Sequence, residues 1–325
     1  MKVSVVVTSY NQKEYLVQTL DSILAQTEVP FEIIVCDDCS SDGSQDLIRQ
    51  YVDRHPGVLK PIFQQQNLGV TRNRNTGIMA AKGDFVTTLD GDDLYLPQKL
   101  EKEMRKARQN SAPLVYSNVI YIDETGRETG IRYKNNRQLE GGLFEKIATL
   151  KYPAPREVLI ARQCIETMGT LDETFRINED FEWIARLSSR YAFVAVKEPL
   201  VLHRYHAKGL HRSDRLLLLE TLAAVTAKMI SLCGEGVTGD KTKTAQKIHA
   251  FLNLTKARIA IHRGDYFEAG TYLRQGIRQD WLRSSNYDLM MRLSLPNLFR
   301  KSDRIPDPLM IGPLALPFYF ARGIF

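Results

Sequence analysis

The chain has 325 residues, of which 43% are hydrophobic and 25% are charged, and this composition excludes a disordered chain and a membrane-embedded helical bundle. Its four cysteines are too few for the disulfide framework of a small secreted domain. The net charge of +6 indicates an anionic partner without identifying it. The charge is uneven, because residues 201–325 carry a net charge of +9 and residues 1–200 carry −3.

The first predicted strand is a short apolar run at residues 3–7, which contains four valines. Such a run is typical of a strand that is buried on both faces. Asn11 is expected to cap the helix that follows, with Glu14 three positions later completing a capping box.

Two further strands are predicted at residues 31–36 and 85–89, and a helix is predicted at residues 44–54. Strands that alternate with helices indicate an α/β fold with a mainly parallel, Rossmann-like sheet and helices on both faces. In such sheets ligands bind beyond the carboxyl ends of the strands.

An acidic run, Asp90-Gly91-Asp92-Asp93, follows the strand at residues 85–89. Two unit charges 4 Å apart repel each other by about 4 kcal/mol at an effective dielectric constant near 20. A Mg²⁺ or Mn²⁺ ion held together with substrate phosphates would relieve this repulsion. The alternative is a polar turn, since Asp and Gly both favour turns.

Asp37 and Asp38 end an earlier strand, where they could accept hydrogen bonds from a nucleotide base or simply form a turn. Between the two acidic clusters lies the segment 67–77, in which Gly69 permits close backbone approach and Arg72 or Arg74 could reach a phosphate. The alternative for this segment is a solvated loop before a helix.

In this order, the motifs resemble glycosyltransferase family 2, which has a GT-A fold, over residues 1–212. The resemblance implies that Asp38 contacts the uracil ring with Asp37 beside it, and that Asp90 and Asp92 form the DXD pair around Gly91. That pair would hold the ribose and a metal-bound diphosphate. The other residues implied in nucleotide binding are Thr8, Ser9, Tyr10, Asn11, Asn67 and Arg74.

Two later segments fit the same resemblance. Glu179-Asp180 looks like the family's Glu-Asp motif at the start of a helix, which makes Asp180 the expected general base and Glu179 its catalytic neighbour. The alternative is a helix N-terminus enriched in acidic residues. His206 is expected to approach the diphosphate and to bind the metal with Asp90 and Asp92, although His203 and His211 stay open as alternatives.

The resemblance implies an inverting, metal-dependent glycosyltransferase that moves a sugar from a UDP-sugar to an acceptor hydroxyl, using Mn²⁺ or Mg²⁺. We expect it to be non-processive and to act in bacterial polysaccharide or glycolipid biosynthesis. The alternatives are a sugar-nucleotide pyrophosphorylase-like nucleotidyltransferase and a catalytically inactive nucleotide-sugar-binding module. A Rossmann oxidoreductase is excluded, because its G-x-G-x-x-G motif does not follow the first strand.

The predicted catalytic domain spans residues 1–212, with nucleotide-sugar binding in 1–110 and the acceptor side and base in 111–212. A helical extension, residues 213–325, is predicted to contain helices at 213–233, 241–263 and 265–278. No apolar run is long enough for a signal-peptide core or a membrane span, so we expect a cytoplasmic protein. We hypothesise that this basic extension contacts the inner face of an anionic membrane; packing on its own domain or homo-oligomerisation are the alternatives. No nucleic-acid partner is expected.

Overall fold

The computed structural model of the chain describes residues 1–206, 215–234 and 240–279. Within these residues the chain divides into two compact units. The first unit holds residues 1–142, 155–187 and 191–206, and the second holds 143–154, 188–190 and the described residues from 215 onward. The domain boundary at residue 212 falls outside the described residues and stays a prediction.

The elements up to residue 206 are nine strands and seven α-helices, of which α5 lies in the second unit together with the last residue of α7. In chain order they are β1 (Val3–Ser9), α1 (Lys13–Leu24), β2 (Glu32–Asp37), α2 (Ser44–Arg54), β3 (Leu59–Phe63), α3 (Val70–Ala80), β4 (Phe85–Asp90), β5 (Leu94–Tyr95), α4 (Lys99–Asn110), β6 (Leu114–Ile122), β7 (Glu128–Ile131), α5 (Phe144–Ala148), β8 (Leu159–Ala161), α6 (Arg162–Met168), α7 (Glu179–Ser188) and β9 (Phe193–Arg204).

The nine strands of the described residues form one sheet in the order β3-β2-β1-β4-β8-β6-β9-β5, with β7 paired to β6. β1 runs parallel to both β2 and β4, β3 runs parallel to β2, and β9 runs parallel to β6. β8 is antiparallel to its neighbours β4 and β6. The α/β class predicted from the sequence is confirmed.

β1 lies at the centre of the parallel half, where every residue of β1 and of β2 is buried. This burial explains the continuous apolar runs in the sequence. The register places Ser9 opposite Asp37 and Thr8 opposite Asp90. The carboxyl ends of three strands therefore bring the two acidic clusters to one edge of the sheet.

The cap predicted for the first helix is wrong, because α1 begins at Lys13 and no side chain caps it. Asn11 instead has a positive φ of 51°. Its backbone N–H donates to Ser40 Oγ at 2.8 Å, and its side-chain oxygen accepts the Ser41 N–H at 2.9 Å. Asn11 thus joins the end of β1 to the loop that follows β2.

The second unit contains three long helices, α8 (Arg215–Ser231), α9 (Lys241–His262) and α10 (Tyr266–Gln279). Asp240 caps α9 by accepting the Lys243 N–H at 3.0 Å, and Gly264, at a φ of +82°, separates α9 from α10. These boundaries agree closely with the helices predicted at 241–263 and 265–278.

Packing between α9 and α10 is built from small and branched apolar side chains. The buried cluster consists of Leu254, Ala257, Ala260, Ala269 and Leu273. Among the described helices, none is both long enough and apolar enough to cross a membrane. Ser213, the predicted start of the first of these helices, and residues 280–325 of the basic extension lie outside the described residues.

Candidate functional site

Asp90 ends β4 and is held at the sheet edge by two neighbours. Its Oδ1 accepts the Thr8 hydroxyl at 2.9 Å and Arg74 Nη2 at 2.6 Å. Burial alone would raise the pKa of Asp90, but the charges of Arg74 and Arg156 and these hydrogen bonds lower it to about 2. Asp90 is therefore a fixed carboxylate anion at neutral pH.

Asp92 pairs with His206, the histidine chosen from the sequence. Asp92 Oδ2 lies 2.7 Å from His206 Nε2, and this hydrogen bond is the main reason that the pKa of His206 is raised. The His206 ring packs against Tyr15, with the ring centroids 5.1 Å apart. Carboxylate and imidazole are suitable ligands for Mn²⁺, so this pair fits the predicted metal role.

Gly91 separates the two aspartates where the backbone passes close to β1. Its N–H donates to the Thr8 carbonyl at 2.8 Å. A Cβ at this position would lie 2.9 Å from that carbonyl oxygen and 2.7 Å from Gln12 Oε1. The glycine thus allows the acidic loop to lie directly against the end of β1.

Asp93, the third carboxylate of the run, faces inward and is fully buried. It accepts the Arg204 N–H at 2.8 Å, and its other oxygen lies 2.7 Å from His203 Nδ1. Burial, together with the charges of Asp92 and Asp90, raises its pKa well above the usual range. The acidic run therefore divides into two residues at the sheet edge and one beneath it.

Arg74, on α3, connects the acidic loop to the start of α7. It is buried, and its guanidinium contacts both Asp90 and Glu179, the latter at 3.3 Å. Burial and the Asp180 charge raise the pKa of Glu179 to about 7, although Arg74 opposes this rise. One guanidinium thus brings together two motifs that lie 89 positions apart in the sequence.

Asp180 is more exposed than its neighbour Glu179. Solvent reaches 35% of the Asp180 side chain and 11% of the Glu179 side chain. Its Oδ1 accepts the Phe181 N–H at 2.7 Å, and its Oδ2 lies 3.9 Å from Arg156 Nη1. This position at the first turn of α7 leaves Asp180 accessible to a substrate hydroxyl.

The two aspartates at the end of β2 accept hydrogen bonds from residues of the neighbouring loops. Asp38 accepts the backbone N–H groups of Leu68 and Gly69 at 2.7 and 2.9 Å, and Asn67 Oδ1 also accepts the Gly69 N–H at 3.1 Å. Asp37 accepts the Ser40 hydroxyl at 2.5 Å. The Asp38 contacts shape the loop before α3, and the Asp37 contact shapes the loop after β2. The expected contact of Asp38 with a nucleotide base stays a prediction.

The end of β1 supplies the remaining residues that were predicted to line the nucleotide pocket. Thr8 holds Asp90, as described above. Ser9 is buried, and its hydroxyl has no hydrogen-bond partner within the described ranges. Tyr10 is 49% exposed beyond the strand and offers an aromatic surface.

Arg156 and Glu157 were not predicted as site residues, because they lie in a loop without a recognisable motif. Arg156 Nε donates to Glu157 Oε1 at 3.2 Å, and its guanidinium also faces Asp180. The Glu157 backbone has a positive φ of 45°, and its carbonyl accepts hydrogen bonds from the Lys99 ammonium at 3.1 Å and the Thr87 hydroxyl at 3.3 Å. Only the fold brings this loop to Asp180.

Comparison with solved structures defines the class of fold. TarS 1–349 of S. aureus in complex with UDP-GlcNAc matches with a TM-score of 0.71 at 18% identity, covering 95% of each chain. The mannosyltransferase PcManGT from Pyrobaculum calidifontis, in complex with GDP-Man and Mn²⁺, matches with a TM-score of 0.57 at 18% identity, covering 93% of this chain and 88% of the other. The fold is that of the GT-A glycosyltransferases.

Sequence comparison defines the family. The model for glycosyl transferase family 2 matches residues 4–163. An uncharacterised glycosyltransferase of Nostoc sp. is 43% identical over 218 residues, which cover 66% of this chain and 67% of that protein. The chain belongs to glycosyltransferase family 2 and is a glycosyltransferase.

Other relatives match over shorter regions. TuaG of Bacillus subtilis, named for teichuronic acid biosynthesis, is 32% identical over 124 residues, which cover 38% of this chain and 49% of TuaG. An uncharacterised protein of Mycobacterium tuberculosis is 40% identical over 104 residues, which cover 30% of its length. The chain thus spans half or less of these two relatives.

Proposed function

We propose that this glycosyltransferase moves one sugar per encounter from a UDP-sugar to an acceptor hydroxyl, with inversion at the anomeric carbon and with a divalent cation. The observation that carries the proposal is the bridge of Arg74 between Asp90 and Glu179. This bridge joins the predicted nucleotide motif and the predicted base motif into a single site.

Asp180 is the general base in this proposal. An acceptor hydroxyl must lose its proton as it attacks, and a carboxylate within hydrogen-bond reach can take that proton. Glu179 is less suited to this role, because it is buried and held by Arg74. Inversion requires a single displacement, so no protein nucleophile is needed.

Asp92 and His206 would hold the cation, with Asp90 beside them. A bound Mn²⁺ or Mg²⁺ would supply positive charge to the departing diphosphate. Arg156 Nη1 lies 3.9 Å from Asp180 Oδ2, and we propose that Arg156 restrains this carboxylate in an orientation suited to the acceptor. Tyr10 and Ser9 would line the nucleoside side of the pocket.

The choice of UDP and of the pathway rests on similarity. The family resemblance of Asp38 to a uracil-binding aspartate favours UDP, and TarS has been crystallised with UDP-GlcNAc. TuaG is named for the synthesis of a cell-surface polymer. We therefore propose a role in polysaccharide or glycolipid assembly, with a carbohydrate or lipid-linked acceptor. The peripheral membrane contact, cytoplasmic placement and homo-oligomerisation expected from the sequence stay proposals.

A donor-hydrolysis screen tests this function. The full chain would be incubated with UDP-, GDP- and dTDP-sugars, each with Mn²⁺, with Mg²⁺ or with a chelator, and release of the nucleoside diphosphate would be measured. We expect release from at least one UDP-sugar, and we expect the chelator to abolish it. Release from GDP- or dTDP-sugars alone would contradict the choice of donor, and tight UDP binding without turnover of any donor and acceptor would contradict the catalytic proposal.

A further inference from the structure

Beneath the sheet edge, three potential metal ligands from separate parts of the chain converge. Asp93 follows β4, Glu157 precedes β8, and His203 lies in β9. Each offers one ligand atom, and the three atoms lie within 4.8 Å of one another. In the described part of the chain, no other group of three or more Asp, Glu, His or Cys residues meets this criterion. The cluster does not include Asp90, Asp92 or His206.

Glu157 supplies an independent indication of a ligand. Only 6% of its side chain is exposed, and its Oε2 has no hydrogen-bond partner among the described residues. Its other oxygen, Oε1, is held by Arg156, and its backbone carbonyl is held by Lys99 and Thr87. The loop is therefore fixed from two sides, while one buried oxygen of Glu157 has no hydrogen-bond partner among the described residues and Glu157 offers a ligand atom to the group with Asp93 and His203.

The charge of the cluster also favours a cation. The cluster places two carboxylates together out of solvent, since none of the Asp93 side chain and 6% of the Glu157 side chain is exposed. The Arg204 guanidinium does not compensate Asp93, because it donates to the Asp92 carbonyl and to Gln18. Arg156 is shared between Glu157 and Asp180.

We propose that Asp93, Glu157 and His203 form a second divalent-cation site, separate from the diphosphate-binding pair Asp92 and His206. Two carboxylates and an imidazole suit first-row cations such as Mn²⁺ or Zn²⁺ better than Mg²⁺. Ligand atoms at about 2.0–2.2 Å from an ion lie up to about 4.4 Å apart, so binding needs only a small inward shift from the 4.8 Å limit. His203 is the most exposed of the three ligands, with 15% of its side chain accessible compared with 6% for Glu157 and none for Asp93.

Such a site would act on the reaction through Arg156. A cation on Glu157 Oε2 would hold the loop that carries Arg156, and Arg156 faces Asp180. The site is thus a positioning device behind the base, and it does not require a nucleotide for binding. This independence separates it from the proposed metal role of Asp92.

The test is a Mn²⁺ titration of the nucleotide-free protein, followed by electron paramagnetic resonance of unbound Mn²⁺. We expect one bound ion per chain, at least tenfold weaker binding in Glu157→Gln and His203→Gln, and less than a twofold change in Asp92→Asn. The absence of nucleotide-free binding in the wild type, or binding that is lost only in Asp92→Asn, would overturn the proposal.

A second measurement tests the same site when a variant is too unstable for the titration or when Mn²⁺ also binds at the surface. Thermal unfolding would be followed with and without equimolar Zn²⁺. Zn²⁺ is expected to raise the midpoint of the wild type and of Asp92→Asn, because a ligand of the folded state stabilises it, and to leave the midpoint of Glu157→Gln unchanged. Equal shifts in all three proteins would mean that Zn²⁺ binds elsewhere. Either result is independent of which sugar donor the enzyme uses.

Discussion

Replacement of Asp180 by asparagine is expected to lower the rate of sugar transfer by about 10²- to 10⁴-fold, which is the usual contribution of a general base. Donor affinity should change by less than about twofold, because the proposed role of Asp180 is to take the proton of the acceptor hydroxyl and not to bind the donor. Steady-state kinetics combined with UDP titration calorimetry measures both quantities on the same preparation.

Two control variants make this result specific. Glu166→Gln removes an exposed acid from α6 and should leave the transfer rate unchanged. Glu179→Gln removes the partner of Arg74 and should reduce donor affinity as well as rate, because Arg74 also holds Asp90. The base would be Glu179 instead if two results were found together. Asp180→Asn would turn over at a near-normal rate, and Glu179→Gln would lose most of its transfer rate while its donor affinity stayed unchanged.

Replacement of Asp92 by alanine should weaken UDP binding in the presence of Mn²⁺ by at least about tenfold, since even the outer-sphere partners of a bound metal contribute on this scale. Without Mn²⁺ the affinity should match that of the wild type, because the lost interaction is the one with the cation. Calorimetric UDP titrations of the wild type and of Asp92→Ala, each with Mn²⁺ and with a chelator, give the four affinities to be compared.

The matched control is Asp46→Ala, which removes an exposed carboxylate from α2, where it pairs only with Arg49 among the ion pairs of the described residues. It should leave both affinities unchanged. If the affinity of Asp92→Ala for UDP equals that of the wild type in Mn²⁺, the metal role of Asp92 is wrong, and His206 would then lose its proposed role with it.

The parallel half of the fold could be predicted because its strands are buried on both faces. Burial on both faces requires apolar runs such as residues 3–7, and the residues that end these runs must meet at one sheet edge. The helices of the second unit could be predicted for a similar reason, since Gly264 interrupts an otherwise continuous helical pattern. β3 was missed because it carries Pro61 and is only partly buried.

The contacts that assemble the site could not be predicted from local patterns. Arg74 reaches Glu179 across 105 positions, and Asp93 meets His203 across 110. Asn11 has the residue type of a helix cap, but the loop after β2 competes for its side chain. Arg156 and Glu157 belong to no periodic pattern or motif, so only the fold shows that Arg156 faces Asp180 and that Glu157 belongs to the buried cluster.

Proton NMR of donor consumption distinguishes the proposed single displacement on a UDP-sugar from a double displacement. The full chain would be mixed with a UDP-α-sugar that the donor screen has identified, with Mn²⁺ and without acceptor, so that water takes the place of the hydroxyl. We expect the β-anomer of the released sugar to appear first and the α-anomer to follow only by mutarotation. Release of the α-anomer first would contradict inversion and, with it, the assignment of one base and no nucleophile.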